Sequence, residues 1–447
     1  MAQTRRGFTL WHVVATLPWI VAVLVARSKI GDNSFLWHVT AGRVQNSSGS
    51  VLTADPFSFS LQGQAWRTQS WLADVGYGWF DDRIGLGLVP WLRFLAAIAL
   101  FAIAAATVWR VSSSIQAIAS VSFLTALLAV PYLNPRPVVF SYVLLALVVL
   151  IEERPKLRWA HPAIFYVWAA LHGSWVIGAG YLVLSVLKRR EYRRITSEAP
   201  WIALATLVTA HGWGVIEYLV AFQSNSGALS LISEWAPPDL VSIPRLPFTA
   251  ALLILLFAAA DGSVSRRDIG FVVPIVLVGL TTSRSVLPAF LMLVPSLGVG
   301  LGGLLASRFS RPLVGVRAIV AAIIVLPLLL PVTGGLDDER FPVELVEQAR
   351  GRRVFHDDVV GGYMIYAAWP ATEVLVDDRA ELYGKALGQF VDVRAGRADW
   401  EPYFEQLQIE AAILRRDQAL DRILRLSGWV EIATEGEQDQ WVLLEPR

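Results

Sequence analysis

Residues 30–43 read IGDNSFLWHVTAGR and follow the first long apolar run of the chain. Four polar or aromatic side chains fall within twelve positions here: Asp32, Trp37, His38 and Arg43. Ionisable groups beside a bilayer are costly unless they pair or act on a ligand. A helix from about Ser34 places His38 and Gly42 on one face, with Asp32 in the loop before it. The segment is therefore the first candidate for chemistry. The simpler interpretation is an interfacial helix with a tryptophan anchor and Gly42 as its end signal.

The composition indicates an integral membrane protein. Of the 447 residues, 55% are hydrophobic and 17% are charged, and the mean hydropathy is +0.51. These values leave room for one additional soluble domain. The net charge of +1 predicts no nucleic-acid partner, because a phosphate-binding surface carries a basic excess. The sequence has no cysteine, which excludes disulfides, thiolate metal sites and a cysteine nucleophile.

Ten apolar runs are long enough to cross a bilayer. They cover residues 8–26, 86–109, 115–133, 137–151, 159–187, 201–222, 248–260, 269–282, 286–304 and 314–332. The first run lacks a convincing signal-peptide cleavage site, so we expect a retained helix. The run 159–187 is too long for one span and has basic residues at both ends, so it is predicted to turn at His172 and Gly173 and form two helices.

Basic residues predict the orientation of these spans. They cluster at Arg5 and Arg6, at Arg110, at 154–158, at 188–194, at Arg266 and Arg267, and at Arg308, Arg311 and Arg317. The positive-inside rule places all of these clusters in the cytoplasm. The result is eleven crossings, with the N-terminus in the cytoplasm and the C-terminal domain on the outer side of the membrane.

This orientation collects the unexplained polar residues on the outer face. They are Asp32, His38, Arg43, Asp55, Arg136, His172, Glu234 and Arg284. A transporter would place ionisable groups near the midplane along a substrate path. Only His211 lies deep within a predicted span, so the pattern favours a site at the outer face. The outer loop at 27–85 is too long for a simple connection, and the spacing of Trp71, Val75 and Trp79 predicts an amphipathic helix in the headgroup plane.

The C-terminal residues 334–447 are predicted to form a small α/β domain. Strands are expected at 353–356, 373–376, 411–414, 429–432 and 441–444, and helices at 359–369, 385–394, 400–407 and 418–426. Gly361 and Gly362 lack the spacing of a phosphate loop. Residues 377–379, Asp-Asp-Arg, follow a predicted strand end, where α/β sheets often place ligand residues. The favoured interpretation is a turn with a salt bridge.

Several motifs together resemble a known family. They are D-x-x-x-L-W-H-x-x-x-G-R at 32–43, DPFSFS at 55–60, NPRP at 134–137, HGSW at 172–175, SEW at 233–235 and VLVDDRAELYG at 374–384. The chain resembles the GT-C class of integral-membrane glycosyltransferases, which use polyprenyl-phosphate-linked sugars. The resemblance implies a mostly α, polytopic bundle of about eleven helices over 1–333, with an extracytoplasmic domain at 334–447.

The resemblance also implies a catalytic aspartate in the first outer loop, which maps onto Asp32. Many members have two adjacent acidic residues there, whereas Asn33 follows Asp32 in this chain. No cofactor follows from the sequence, and a divalent cation is left open. The expected partners are a polyprenyl-phosphate sugar donor, membrane lipids, and a glycan, lipid or protein acceptor.

Sugar transfer from a lipid phosphate needs a base for the acceptor hydroxyl and cations for the phosphate. We assign Asp32 as the base. The forked donors of Arg136 and Arg284 suit phosphate binding, although Arg284 as a headgroup contact is the simpler interpretation. His38 and His172 are suited to orienting the acceptor, and His172 alternatively caps its turn. The remaining predicted substrate contacts are Arg43, Asp55 and Glu234.

Two classes of function remain open. The first is a glycosyltransferase at the outer face of the cytoplasmic membrane, acting on a cell-envelope acceptor. The second is a non-catalytic membrane protein on the same scaffold, which binds a lipid-linked glycan or a partner in envelope assembly.

Overall fold

The structure is a computed structural model that describes residues 9–224, 233–305, 316–329 and 335–447. The protein is mostly helical, at 68%, which confirms the predicted class. The predicted basic residues Arg5, Arg6, Arg308 and Arg311 lie outside the described residues, as do the ends of the span predicted at 314–332 and the side chain of Arg317.

The chain divides into two compact units. Unit 1 contains Met1–Ser28, Leu88–Gly212 and Ser233–Gly334, and unit 2 contains Lys29–Gly87, Trp213–Ile232 and Gly335–Arg447. The predicted boundary at 333/334 is next to the last segment of unit 2. The sequence did not reveal that the loop predicted at 27–85 packs with the C-terminal residues.

The described helices of unit 1 are mostly apolar. They are α1 (Leu10–Arg27), α4 (Leu88–Val111), α5 (Ile115–Ala129), α6 (Val138–Glu152), α7 (His161–Leu171), α8 (Trp175–Arg189), α9 (Arg193–Ser197), α10 (Ala199–Leu207), α12 (Leu246–Ala260), α13 (Arg266–Gly279), α14 (Val286–Leu305) and α15 (Val316–Val325). Helix α14 is apolar on all sides and nearly every residue of its first three turns is buried, because it packs on α4, α5, α6 and α12. It forms the centre of the unit 1 core.

Five helical stretches among the described residues are long and apolar enough to cross a membrane. They are Leu10–Arg27, Trp71–Val111, Ile115–Tyr132, Ile243–Ala260 and Ser283–Leu305, and the apolar helix Val138–Glu152 is shorter. These lengths are compatible with a membrane protein. The eleven crossings and their orientation stay predictions.

The structure confirms the predicted turn within one apolar run and contradicts the single span predicted for another. The run 159–187 is split into α7 and α8 at His172, as expected. A single span at 201–222 is wrong, because the chain turns at residues 208–213 between α10 and α11 (Gly214–Ser224). Gly212 lies in this turn with a φ of +51°, a conformation that favours glycine. His211 therefore lies in a turn and not inside a span.

Unit 2 combines helices with one small sheet. Its described helices are α2 (Asn33–Ser48), α3 (Trp71–Ile84), α11, α16 (Val343–Gln348), α17 (Asp358–Ala368), α18 (Ala380–Tyr383), α19 (Lys385–Arg394), α20 (Trp400–Leu407) and α21 (Ala419–Leu426). The strands are β1 (Val354–His356), β2 (Ala411–Arg415), β3 (Val430–Glu435) and β4 (Trp441–Glu445), in the order β1-β2-β4-β3. Strands β1 and β2 are parallel, and the other two pairs are antiparallel.

Most predicted elements of the C-terminal residues are present, with one exception. The strand predicted at 373–376 is wrong, because this segment forms only an isolated bridge between Ser58 and Val374. Its side chains Val374, Leu375 and Val376 are buried, so this short apolar run resembled a strand although the segment lines the core of unit 2. The short helices α16 and α18 were not predicted.

Helices α2 and α3 were both recognised only in part. Helix α2 does not end at Gly42 but continues to Ser48, where Gly49 takes the left-handed conformation. Helix α3 exists, but Trp71, Val75 and Trp79 lie away from its buried face. That face consists of Ala73, Asp74, Tyr77, Gly78 and Asp81. The aromatic spacing therefore predicted the helix correctly, and its location in the headgroup plane stays a prediction.

Candidate functional site

Asp32, the predicted catalytic residue, is the N-cap of α2. Its Oδ1 accepts a hydrogen bond from the Phe35 amide at 3.1 Å, and the residue is only 5% exposed. A carboxylate at this position satisfies a free amide of the first turn. Asn33, in the place of a second acid, donates from Nδ2 to the Asp358 carbonyl at 3.1 Å. The Asp-Asn pair therefore has a structural role at the start of α2.

Helices α2 and α3 touch through their backbones at two glycines. A Cβ at Gly42 would lie 1.7 Å from the Asp74 carbonyl oxygen, and a Cβ at Gly78 would lie 2.4 Å from the Arg43 amide nitrogen. Larger residues at these positions would force the helices apart. The two glycines thus bring the side chains of the two helices within direct contact.

This contact pairs His38 with Asp74. The distance between His38 Nδ1 and Asp74 Oδ1 is 2.6 Å, and both side chains are buried. The other carboxylate oxygen accepts a hydrogen bond from the Thr68 hydroxyl, and Trp37 stacks on the imidazole with the ring centroids 3.5 Å apart. Because a carboxylate oxygen accepts, this hydrogen bond has its proton on Nδ1, and Nε2 is the ring nitrogen left for another contact. Asp74 was not among the site residues predicted from the sequence. The feature that could have indicated it is a carboxylate on the buried face of a helix rich in aromatic residues.

Arg43 also bridges α2 and α3. Its Nη2 contacts Asp81 Oδ2, and its guanidinium lies 4.8 Å from the Tyr366 ring centroid. The Tyr366 hydroxyl donates to Asp81 Oδ1 at 3.3 Å. Arg43 therefore has protein partners on α3 and α17, and its predicted contact with substrate stays a prediction.

Asp55 belongs to a fully buried ionic network that we call the Arg379 cluster, formed by Asp55, Asp377, Arg379 and Tyr383. Arg379 Nη1 donates to Asp55 at 2.8 Å, and its Nε and Nη2 form a forked pair with Asp377 at 2.8 and 2.6 Å. The Tyr383 hydroxyl donates to the same Asp377 carboxylate at 2.9 Å. The salt bridge predicted at 377–379 is thus present, and it extends to a residue 324 positions away.

Aromatic rings enclose this cluster. The Arg379 guanidinium lies 4.6 to 5.6 Å from the ring centroids of Trp66, Phe57 and Trp37. Burial alone lowers the pKa of Arg379, but the Asp377 charge more than offsets this, and the pKa is raised well above its ordinary value. Arg379 is therefore a permanent cation in the core of unit 2.

A second buried group lies at the end of β1. His356 donates from Nδ1 to the Asp357 carbonyl at 3.0 Å and accepts the Leu375 amide at Nε2, also at 3.0 Å. Burial lowers the pKa of His356 to about 4. The ring is therefore neutral at physiological pH and acts as a fixed hydrogen-bond bridge. The sequence analysis placed His356 at a strand end without assigning it a role.

Unit 1 brings together three predicted motifs in what we call the three-turn cluster: Arg136, Glu234 and Arg284. Glu234 Oε2 lies 3.1 Å from Arg284 Nε, and its Oε1 lies 3.6 Å from Arg136 Nη1. The Arg284 guanidinium also lies 5.2 Å from the Trp235 ring centroid. Each residue comes from a different turn, and the fold of unit 1 brings the three side chains together.

His172 ends α7. Its Nδ1 accepts the Ser174 amide at 3.2 Å and lies 3.0 Å from the Ser174 hydroxyl. This geometry matches the interpretation of His172 as a cap of its turn. A contact with an acceptor substrate stays a prediction.

The eight predicted site residues fall evenly into the two units. Asp32, His38, Arg43 and Asp55 belong to unit 2, while Arg136, His172, Glu234 and Arg284 belong to unit 1. Among the described parts of the chain, no three His, Asp or Glu side chains are grouped as metal ligands. In comparisons with known proteins, neither a family model nor a curated protein matches this chain.

Proposed function

We propose that this protein is a membrane glycosyltransferase that moves a sugar from a polyprenyl-phosphate donor to a cell-envelope acceptor. The observation that carries the proposal is the three-turn cluster. Two guanidinium groups lie beside one carboxylate there. Its side chains are 22% to 45% exposed and are therefore open to a ligand.

Two neighbouring guanidinium groups suit a phosphate. Arg136 and Arg284 are permanent cations whose forked donors match phosphate oxygens. During transfer, the acceptor oxygen forms a bond to the anomeric carbon while the bond from that carbon to the phosphate oxygen breaks. The electron pair leaves with the polyprenyl phosphate, and fixed cations stabilise this developing charge.

Two groups of unit 2 are suited to take the proton of the acceptor hydroxyl. Asp32 is the residue implied by the resemblance to GT-C enzymes. His38 is oriented through Nδ1 by Asp74, which leaves Nε2 to accept a proton. Each residue is proposed as the base from its own surroundings in unit 2 and is tested apart from the three-turn cluster of unit 1, and separate substitutions distinguish the two.

The proposed location is the outer face of the bacterial cytoplasmic membrane, with the N-terminus inside. Because the chain has no cysteine, single cysteines can be labelled without a background reaction. Cysteine at the exposed positions Ser48 and Ser427 is expected to react with an impermeant reagent in intact cells, and cysteine at Ser197 only after lysis. Labelling of Ser197 and protection of the other two would reverse the proposed orientation.

A non-catalytic binding protein is the second candidate, favoured by a specific observation. Asp32 caps a helix, Arg43 pairs with Asp81, and Asp55 pairs with Arg379. Each of these charges has a structural partner in the described protein, as expected for a scaffold that needs no chemistry.

The test compares a deletion strain with strains that carry D32N, H38Q, R284Q or the control D82N. Asp82 is an exposed carboxylate on α3. Envelope glycans and lipid-linked sugars are quantified by mass spectrometry, and binding of polyprenyl phosphate is measured on each purified protein.

If Asp32 or His38 is the catalytic base, D32N or H38Q is expected to lower the amount of glycan product by about 10²–10⁴-fold without weakening the binding of polyprenyl phosphate. R284Q is expected to weaken binding, and D82N to change neither quantity. Full product from both D32N and H38Q, with binding intact, would favour the non-catalytic alternative.

A further inference from the structure

A cavity of about 1030 Å³ lies in unit 1, away from the three-turn cluster in sequence. It is formed by the short 3-10 helix Pro155–Ala160, the start of α7, the end of α8, and helices α9 and α10. Five cations and two carboxylates line it. None of the predicted site residues belongs to this lining, so the cavity has no role in the function proposed above.

The inner wall of the cavity is a rigid ionic network. Arg194 donates to both oxygens of the fully buried Glu152, at 2.7 and 3.0 Å, and also to Glu198 at 2.9 Å. Arg158 donates from Nη1 to Glu191 at 2.8 Å. In these contacts, Glu152, Glu191 and Glu198 are all paired with arginines of the wall.

The remaining three cations of the lining have no such partners. Lys156, Arg190 and Arg193 are exposed, and none of them contacts a carboxylate among the described residues. A second cavity, of about 380 Å³, is lined by one exposed cation of this kind, Arg267, and by two cations that are paired. There Lys188 pairs with Asp268 at 2.5 Å, and Arg189 pairs with Glu153 at 2.8 Å. The larger cavity thus has uncompensated positive charge.

Aromatic side chains adjoin these three cations. Trp159 is 78% exposed, Trp201 is 62% exposed and Tyr192 is 56% exposed, and all three line the cavity. Large exposed indole rings next to cations are typical of the membrane interface, where apolar and charged parts of one lipid are contacted together. A water-soluble anion would use the cations but gain nothing from the tryptophans.

We propose that this cavity binds one anionic phospholipid. Its phosphate lies against Lys156, Arg190 and Arg193, and its acyl chains lie along Trp159 and Trp201. The rigid wall of Arg158 and Arg194 shapes the site without supplying the free charges. The proposal is independent of sugar transfer and concerns different residues.

The test uses native mass spectrometry of the full-length protein in detergent, with phosphatidylglycerol as the probe and phosphatidylcholine as the neutral comparison. The variant K156Q/R190Q/R193Q is expected to bind phosphatidylglycerol on the order of 100-fold more weakly, at a few-fold for each cation lost. The control R154Q/R266Q/R397Q removes three exposed cations outside the lining and is expected to bind within threefold of the parent. Single substitution R193Q is the fallback if the triple variant unfolds, with an expected loss of about fivefold.

A second arm separates the lipid from its headgroup. W159A/W201A is expected to weaken phosphatidylglycerol binding and to leave binding of inorganic phosphate unchanged. The proposal is overturned if the basic variant, or R193Q in its place, retains parental affinity. It is equally overturned if phosphatidylcholine binds as tightly as phosphatidylglycerol, or if the tryptophan variant keeps full lipid affinity.

Discussion

The Arg379 cluster and the three-turn cluster use the same residue types in opposite ways. In unit 2, one arginine faces two aspartates and is completely buried. In unit 1, two arginines face one glutamate, and all three side chains are partly exposed. The first arrangement surrounds its cation with protein, whereas the second leaves both guanidinium groups partly accessible to the surroundings.

The difference separates a structural network from a candidate binding site. A buried ion pair is costly to assemble but far more costly to break, because the remaining charge has lost its water. A partly exposed pair contributes little to stability, since water and salt screen it. Substitutions in the Arg379 cluster are therefore expected to act on folding, and those in the three-turn cluster on ligand binding.

The largest expected effect comes from Arg379→Met. The substitution leaves Asp55 and Asp377 buried without their cation, which is expected to lower the free energy of unfolding by about 3–5 kcal/mol. Thermal and chemical unfolding in detergent, followed by circular dichroism, measures this loss. Arg397→Met is the control, because Arg397 forms an exposed pair with Asp392 at 2.8 Å. Equal losses in the two variants would contradict the role given to burial.

The second effect depends on pH and concerns the buried His356. Its pKa is about 4 in the folded protein, against 6.5 as the ordinary value. Below pH 6.5 the unfolded chain binds a proton that the folded chain excludes, so stability falls as the pH drops from about 6.5 to 4. The loss reaches about 3 kcal/mol at the lower end.

Unfolding of the parent protein and of His356→Gln is compared between pH 7 and pH 4. The parent is expected to lose more stability than the variant, whose side chain does not titrate. Burial raises the pKa of the neighbouring Asp357, which acts in the opposite direction. Comparing the two proteins cancels that contribution, and identical pH curves would exclude the role of His356.

The third prediction concerns the packing of α2 against α3 and involves no charged side chain. Gly42→Ala puts a Cβ against the Asp74 carbonyl of α3 and is expected to cost about 1–3 kcal/mol. Gly76→Ala, in the same helix pair, meets open space and is expected to stabilise α3 by about 0.5–1 kcal/mol. The same unfolding measurements apply. A similar result for both alanines would show that the two helices are not in close contact.

The smallest effects on stability are expected in the three-turn cluster. Arg284→Gln and Glu234→Gln should each change the free energy of unfolding by no more than about 1 kcal/mol. The two substitutions should change the binding of polyprenyl phosphate in opposite directions. R284Q should weaken it by about tenfold, because one charged donor is lost. E234Q should strengthen it, because both guanidinium groups are released from the carboxylate. Equal weakening by both variants would show that Glu234 is needed to position the arginines.

The local pattern of the sequence was sufficient for most helices and strands. The basic residues at both ends of 159–187 predicted its division at His172, and helices 385–394 and 400–407 begin and end where their periodicity indicated. Apolar runs and turn residues act on their near neighbours, so they can be interpreted without knowing the rest of the chain. The turn at 208–213 was missed because its short apolar flanks resemble one continuous span.

Most residues of the candidate site could be predicted from the sequence, but their partners could be identified only from the fold. The sequence drew attention to Asp32, Arg136, Glu234 and Arg284 because polar residues stood out beside apolar runs. It did not indicate Asp74 as the partner of His38. That pairing requires α2 and α3 to touch at Gly42 and Gly78. The residues next to these glycines in the sequence do not distinguish a glycine at a helix contact from a glycine that ends a helix.

By itself, the sequence determined the mostly helical class of this protein, the position of most of its apolar helices, and most helices and strands of residues 353–445. Only the tertiary structure decided that Asp55 and Arg379 form one buried network and that three separate turns share one carboxylate. The physical reason is that the energy of a charge depends on its burial and on the opposite charge beside it. Arg379 illustrates this, because one of its two carboxylates, Asp55, lies 324 positions away in the chain.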